Sequence, residues 1–555
     1  MSVLTPDSRA TRWSSSTSFS IPFPLYKHLA VSLYLPQSLK LLTVIKCTLQ
    51  ITISITISNF NNQKIMLSRS QLLLQKTTTR SALRSINYSV PGKVGLLSST
   101  TRLTNPSITL SSFTSKRYIS QTESKKTIAA IEKQPQQHQQ QHPTNESKES
   151  NYLDTLTTSE LLGYSVIGLA TLNKPILDLV IKLFPFTPLW VIKKLIYQFY
   201  CGGDNLEQVK QTSDRLAKRG ISNMMLSFSV EACGGNKLSM TIPEIVDWNV
   251  KSITDCLVPQ TIKRIEEVGL ENINDVAPGY VALKPTGLVD DAANVLLNYD
   301  NPEYAEQYQV LLNHCRRNVQ AIAQANEKLH ADYPGRLSPF VVAVVDAERN
   351  DLQQGVYKLQ RDLFAEFNKQ EVNVVGTIQM YLKESTPLLL KENEWAKKGG
   401  YKLGWKLVRG AYIHSEPDRG VIHDNKQDTD INYNSGIETT IKNIASGSEA
   451  TVGHLVVASH NGESQLKATQ LLKQIDNKKA SSNVVLGQLL GMADDITFEL
   501  IKKHQVKNII KYVPWGPPLE TKEYLLRRLE ENGDAVRADS GWPLLKGVLK
   551  ALAKK

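Results

Sequence analysis

The chain has 555 residues, 41% apolar and 21% charged, a composition that permits a large buried core and excludes disorder as the state of the whole chain. Its formal charge of +12 would suit a nucleic-acid or anionic-membrane partner only if a folded surface carried it. Instead, fourteen Lys and Arg stand before Ile119 against the single acid Asp7, and the remainder of the chain holds 51 basic and 52 acidic residues, so no nucleic-acid partner is expected.

That N-terminal stretch is rich in Arg, Ser, Thr and Leu and lacks Asp and Glu from Ser8 to Thr122, the composition of a mitochondrial transit peptide. The segment beginning MLSRSQLLLQKTTTR at Met66 has the look of a presequence start. Residues 1–65 then read as an upstream extension and 66–118 as the transit peptide, with Met1 the alternative start. Residues 119–151 include QPQQHQQQHPTNESKES, a polar low-complexity run that buries too little apolar surface to offset ordering entropy, and read as a linker.

A helical region is expected over 152–220. Between Leu161 and Tyr200 it is strongly apolar, but Lys174, Asp178, Lys182, Pro185, Lys193 and Lys194 interrupt it before about 20 apolar residues accumulate, which excludes a spanning helix. Two readings stay open for it: packed helices, or an amphipathic surface resting on the inner membrane. The five cysteines show no CxxC spacing and no HExxH is present, so neither a disulfide framework nor a protein metal site is expected.

From residue 221 to 536 short apolar runs alternate with helical periodicity, the pattern of repeated βα units. Strands are expected at 221–230, 279–285, 340–346, 373–381, 403–409, 454–459, 483–489 and 508–513. Eight units are the number that closes a (β/α)₈ barrel, whose active site lies at the C-terminal strand ends. Those ends carry Glu231, Lys284, Asp346, Gln379, Arg409, His460, Gln488 and Tyr512. Any one alone reads as structural, but eight polar ends in register would each cost a few kcal/mol to bury without a ligand.

The segment 511–536 then offers Pro517 and Pro518 for a helix start, Asn532-Gly533 for its end, and the adjacent pair Arg527 and Arg528. Consecutive helical positions diverge by about 100°, so two guanidinium groups can grip one small anion from neighbouring angles. In isolation Arg527 reads equally as an i±4 partner of Glu523 and Glu531 on a solvated face. Residues 537–555 read as a C-terminal helical tail.

VALKPTGL (281–288), VVDAE (344–348), TIQMYLKES (377–385), KLVRGAY (406–412), ASHN (458–461), GQLLGM (487–492) and YVPWG…YLLRRLEENG (512–533) stand in the order of the proline dehydrogenase family, which the chain resembles from about Glu231 to Val536. The resemblance implies an α/β fold, a distorted (β/α)₈ TIM-like barrel with extra N-terminal helices, whose last helix lies over a mouth that holds FAD. It implies that Arg527, Arg528 and Lys284 hold the carboxylate of L-proline, that Tyr512 lies against the substrate ring, and that Asp346 and Tyr412 border the pocket. It implies that Gln379, Lys406, Val408, Arg409, Ala411, His460, Gln488 and Glu531 lie near the flavin or its phosphates. Lys406 stands where bacterial members often carry Arg, replacing a planar fork with a point charge. Tyr512 stands where relatives that prefer hydroxyproline carry a smaller residue, which favours proline itself.

Chemistry agrees with the resemblance. Oxidising a C–N bond needs a two-electron acceptor that no side chain supplies, and the chain has no GxGxxG for a Rossmann site. The expected reaction is oxidation of L-proline to 1-pyrroline-5-carboxylate, with membrane ubiquinone reoxidising the flavin on the matrix side of the inner membrane. Two other readings are a barrel lyase or aldolase using Lys284 as a Schiff-base nucleophile, and a non-catalytic matrix scaffold.

Overall fold

The computed structural model describes residues 152–230, 240–539 and 541–555, with the side chains of 531–539 left aside. The expected upstream extension, transit peptide and linker, and Glu231 with them, lie outside the described residues.

Eight strands form one closed parallel barrel: β1 (Asn223–Phe228), β2 (Gly279–Leu283), β3 (Val341–Val345), β4 (Val374–Gln379), β5 (Leu403–Val408), β6 (Val452–Ala458), β7 (Val484–Leu489) and β8 (Ile509–Trp515). Each of the eight expected runs is a strand. Closure comes from β1 against β8, paired from Asn223↔Ile510 to Phe228↔Trp515. The strands are nearly continuous Val, Ile and Leu because both faces of a parallel sheet are covered. Along β3, Val341, Ala343 and Val345 pack into the cluster shared with the outer helices, while Val342 and Val344 join Met225, Tyr280, Ala282, Val375, Val456, Val485 and Ile510 inside the barrel. The N-terminal end is plugged by a polar pair: Tyr280 donates to His454 Nε2 at 2.7 Å, and His454 Nδ1 lies 3.2 Å from Asn483 Oδ1. Burial pushes the His454 imidazole down to about 4, so it stays neutral.

The outer elements are α1 (Thr158–Ala170), α2 (Lys174–Leu183), α3 (Leu206–Ala217), α4 (Ile242–Ser252), α5 (Val258–Val268), α6 (Ala305–Asp332), α7 (Asn350–Phe367), α8 (Ser385–Gly399), α9 (Lys426–Ala445), α10 (Gly462–Ile475), α11 (Asp494–Lys502), α12 (Pro518–Asp539) and α13 (Trp542–Ala553), with shorter turns between them. Their starts are written in the sequence: Thr157 and Glu160 form a capping box, Asn205 and Asn425 accept from the N–H three residues on, and Asn461 accepts from Glu463 and Ser464.

One helix departs from its expected end, and the helix of the expected C-terminal tail is tied in by packing. α12 does not end at Asn532-Gly533 but runs to Asp539. α13 is no free tail: its Val548 and Ala551 pack with Leu156, Leu161, Tyr164 and Phe199 of the N-terminal helices. The Leu161–Tyr200 region is accordingly packed on one side. Phe184, Ile192 and Tyr197 are buried against Tyr524 and Leu525 of α12, whereas Leu179, Phe186 and Trp190 are 55%, 53% and 68% exposed. No described helix is long and apolar enough to cross a membrane.

Candidate active site

Side-chain alternation points Ser227, Gln379, Lys406 and Tyr512 inward at the C-terminal ends of β1, β4, β5 and β8. Asp346 follows β3 directly, its N–H donating to Leu283 O at 2.9 Å, which sets it beside Lys284 at the end of β2. Lys406 Nζ forms an ion pair with Asp346 Oδ1, the two side chains 8% and 15% exposed. Tyr512 Oη is 2.9 Å from Asp346 Oδ2 and 2.8 Å from Ser227 Oγ. A phenol has one hydrogen, so Tyr512 donates to the carboxylate and Ser227 donates to Tyr512. Lys406 Nζ also lies 5.7 Å from the centre of the Tyr512 ring. Burial and then the Asp346 charge push the Tyr512 phenol well above its ordinary value, so it remains a neutral donor. Four residues from four strands thus form one polar floor.

The rim is cationic and ordered. Arg409, after β5, pairs with Asp430 of α9 at 2.6 Å, and Lys426 holds the other Asp430 oxygen at 2.7 Å. Burial opposes the Asp430 charge, but these two hydrogen bonds outweigh it and hold the carboxyl below its usual range. His460 immediately precedes the Asn461 cap of α10, and its Nε2 accepts the Leu489 N–H at 3.2 Å. Its proton therefore sits on Nδ1, which is left as a donor. Burial, then the neighbouring Lys511 and Arg409 cations, push this imidazole down to about 4.

α12 reaches the mouth through a turn that only glycine serves well. Gly516 has φ +132°, and a Cβ there would meet the Phe228 ring at 2.9 Å. Thr521 then bonds Ser229 at 3.1 Å, and Lys522 donates to Pro185 O at 2.7 Å and Thr187 O at 2.9 Å. The helix is thereby pinned between the end of β1 and the N-terminal region. Tyr524 lies near Tyr512, and Arg528 lies close enough for its charge to bear on His460. Arg528 also stacks over Tyr524 at 5.6 Å. The two arginines therefore belong to the helix that closes over the floor.

The other expected residues are placed less uniformly. Tyr412 Oη donates to Ala347 O at 3.2 Å, tying the loop after β5 to the loop after β3. Val408 ends β5 opposite Gln379, and Ala411 is exposed in the following loop. Gln488 faces the outer helices: its Oε1 accepts from Thr497 of α11 at 2.6 Å, and its buried Nε2 has no partner among the described residues. Glu531 lies in α12, and its side chain is outside the described residues.

Residue-by-residue reading missed Ser227, Lys511 and Glu416. Ser227 had a usable signal, the inward parity of β1. Lys511 points outward, is 0% exposed, and is held by Asp494 at 2.8 Å, Thr497 at 2.9 Å and Met492 O at 2.9 Å. Asp494 in turn accepts from Tyr152 at 3.1 Å and Tyr164 at 3.0 Å. The N-terminal helices are therefore bolted to the barrel beside His460 by a buried ion pair that no spacing in the chain announces.

The residues fit a flavin nucleotide: a cationic rim at Arg409 and a neutral imidazole with Nδ1–H available. The proline dehydrogenase family model matches residues 260–539. The "Probable proline dehydrogenase, mitochondrial" of Schizosaccharomyces pombe is 31% identical over 377 residues, covering 61% of this chain and 75% of that one. "Proline dehydrogenase 1, mitochondrial" of Dictyostelium discoideum is 26% identical over 435 residues, covering 72% and 74%. Among solved structures, proline utilization A of Bdellovibrio bacteriovorus aligns with a TM-score of 0.49 at 17% identity, over 74% of this chain and 41% of its own, so this chain spans less than half of that protein. With the family model matched across β2 to β8 and α12, the chain belongs to the proline dehydrogenase family.

Proposed function

We propose that this protein is an FAD-dependent proline dehydrogenase of mitochondria that converts L-proline to 1-pyrroline-5-carboxylate and passes the electrons to membrane ubiquinone. The observation that carries the reading is the buried Ser227–Tyr512–Asp346–Lys406 floor beneath the helix that bears Arg527 and Arg528. FAD, when bound, supplies the two-electron acceptor for the hydride that leaves the ring carbon beside nitrogen. The chain's own residues position the substrate. Arg527, Arg528 and Lys284 take the proline carboxylate, each charge-assisted contact contributing about 1.5–3 kcal/mol. Tyr512, fixed by two hydrogen bonds, presents its ring to the pyrrolidine, and its bulk favours proline over a hydroxylated ring.

Asp346 lies near enough to suggest a base, but its two oxygens already accept from Lys406 and Tyr512. Its part in this reading is to hold both in place. Gln379, Lys406, Val408, Arg409, Ala411, His460 and Glu531 are the flavin-side set, with His460 a donor through Nδ1 and Arg409 a charge for the phosphates, whereas Gln488, turned to the outer helices, is left out of it. Closure by α12 excludes water and protects the imine product. The alternative is a lyase in which Lys284 forms a Schiff base with the substrate. The deciding experiment is the visible spectrum of purified protein under anaerobic conditions: a flavin band that bleaches on adding L-proline supports the proposal. Colourless protein trapped by borohydride with substrate supports the lyase and overturns it.

The mitochondrial placement rests on the leader composition and on relatives named mitochondrial. The exposed Leu179, Phe186 and Trp190 support a surface resting on the inner membrane. Because the helices beneath them are packed against α12, the test is Phe186→Ser with Trp190→Ser rather than a deletion. The pair should lower liposome binding and quinone turnover while sparing dye reduction, and unchanged quinone turnover refutes this part.

A further inference from the structure

Glu416, in the loop after β5, is 4% exposed, and among the described residues no Lys or Arg pairs with it. A buried carboxylate left in that state costs several kcal/mol unless donors surround it. Here they do. Both carboxylate oxygens lie 3.1 Å from the Asn350 N–H at the start of α7, where the helix dipole favours negative charge. Tyr381 Oη lies 2.5 Å from Glu416 Oε1 and 2.9 Å from Gln379 Oε1. The phenol has one hydrogen, so it donates to the Glu416 carboxylate or to the Gln379 amide oxygen and not fully to both, while its oxygen stands within hydrogen-bond distance of each. Burial, followed by the bond to Glu416, pushes the Tyr381 phenol up, so the hydrogen stays in this network.

The other end of Gln379 is fixed as well, Nε2 donating to Glu348 O at 2.7 Å. Glu348 in turn has its N–H on Gln353 Oε1 at 2.7 Å and its own Oε1 accepting from Thr286 at 2.9 Å. The Glu416 N–H donates to Tyr412 O at 3.0 Å, closing the turn that carries Tyr412. One carboxylate therefore joins the loops after β3, β4 and β5, and through Thr286 the chain of bonds extends to the loop after β2.

We infer that Glu416 is a positioning residue for the flavin site: through Tyr381 it fixes the inward-facing amide of Gln379, and through Asn350 and Tyr412 it holds the three loops that border that amide at one spacing. Its burial without a cation is met instead by the Asn350 N–H and the Tyr381 hydroxyl. The inference rests on the reading that Gln379 faces a bound flavin.

The test is FAD affinity, measured by titrating flavin-depleted full-length protein and following flavin fluorescence, with the melting temperature as a folding control. Glu416→Ala and Tyr381→Phe should each weaken FAD binding about tenfold, the size of one lost charge-assisted hydrogen bond. If Glu416→Ala does not fold, Tyr381→Phe, which removes only an oxygen, carries the test by itself. A purely structural role would lower stability but leave the cycle with Gln379→Ala additive. Action through Gln379 predicts that in a Gln379→Ala background the Tyr381→Phe effect shrinks to about twofold or less. An effect of equal size in both backgrounds, or wild-type affinity in Tyr381→Phe, overturns the inference alone. A wild-type protein that binds no FAD overturns the functional reading and the inference with it.

Discussion

Replacing Asp346 by Ala removes the one carboxylate that pairs with Lys406 among the described residues; the Lys406 side chain is 8% exposed and sits inside the barrel. Leaving one member of a buried ion pair uncompensated costs about 3–5 kcal/mol, because the remaining charge cannot regain its hydration. Tyr512 also loses an acceptor but keeps Ser227 as a partner, which adds about 1 kcal/mol at most. The single variant should therefore lose about 3–5 kcal/mol of unfolding free energy, and Lys406→Met a similar amount by stranding the carboxylate. The double variant strands neither charge. It should be more stable than the sum of the two losses predicts by about 2 kcal/mol or more. The assay is urea unfolding of the three variants and the wild type at one pH, compared at constant slope. Additive losses, or a single-variant loss below about 1 kcal/mol, would show that the pair is solvated and that the floor of the site is not the buried network derived from its geometry.

Other consequences can be checked separately. Arg527→Ala should raise the KM for proline at least about tenfold, equivalent to about 1.4 kcal/mol, and wild-type KM would place the carboxylate elsewhere. Both His454 and His460 are held down to about 4, below the ordinary 6.5, so the unfolded chain takes up protons that the folded one refuses. Stability from these groups is full above about pH 6.5 and declines as pH falls towards 4, by roughly 3 kcal/mol for each fully buried imidazole. Urea midpoints across that interval measure it, and His454→Gln should flatten the slope. Lys511→Met should cost about 3–5 kcal/mol by isolating Asp494, and should expose residues 152–170 to protease before the barrel itself opens. Simultaneous loss of both would mean that the N-terminal helices are not held by that pair.

Much of this was legible from the chain alone. Eight runs of Val, Ile and Leu announce eight strands because a parallel sheet buried on both faces tolerates little else, and Asn205, Asn425 and Asn461 announce helix starts because their side chains satisfy orphan N–H groups. Strand parity also predicts which of Gln379, Lys406 and Tyr512 face inward. It equally predicts that Gln488 faces outward, although its position at a strand end had placed it with the others.

What local pattern could not supply is pairing across long separations. Asp346 meets Tyr512 166 residues away, and Tyr164 meets Asp494 across 330. Periodicity records the direction in which a side chain leaves the backbone, whereas the partner it finds depends on how barrel closure brings distant strand ends together. Nor did the Asn532-Gly533 stop signal fix the end of α12, which runs on to Asp539. Sequence by itself determined the repeat, the handed alternation of faces and the motifs. Tertiary structure alone decided which charges are buried together, because desolvation is a property of the closed barrel and its covering helices and not of any stretch of chain.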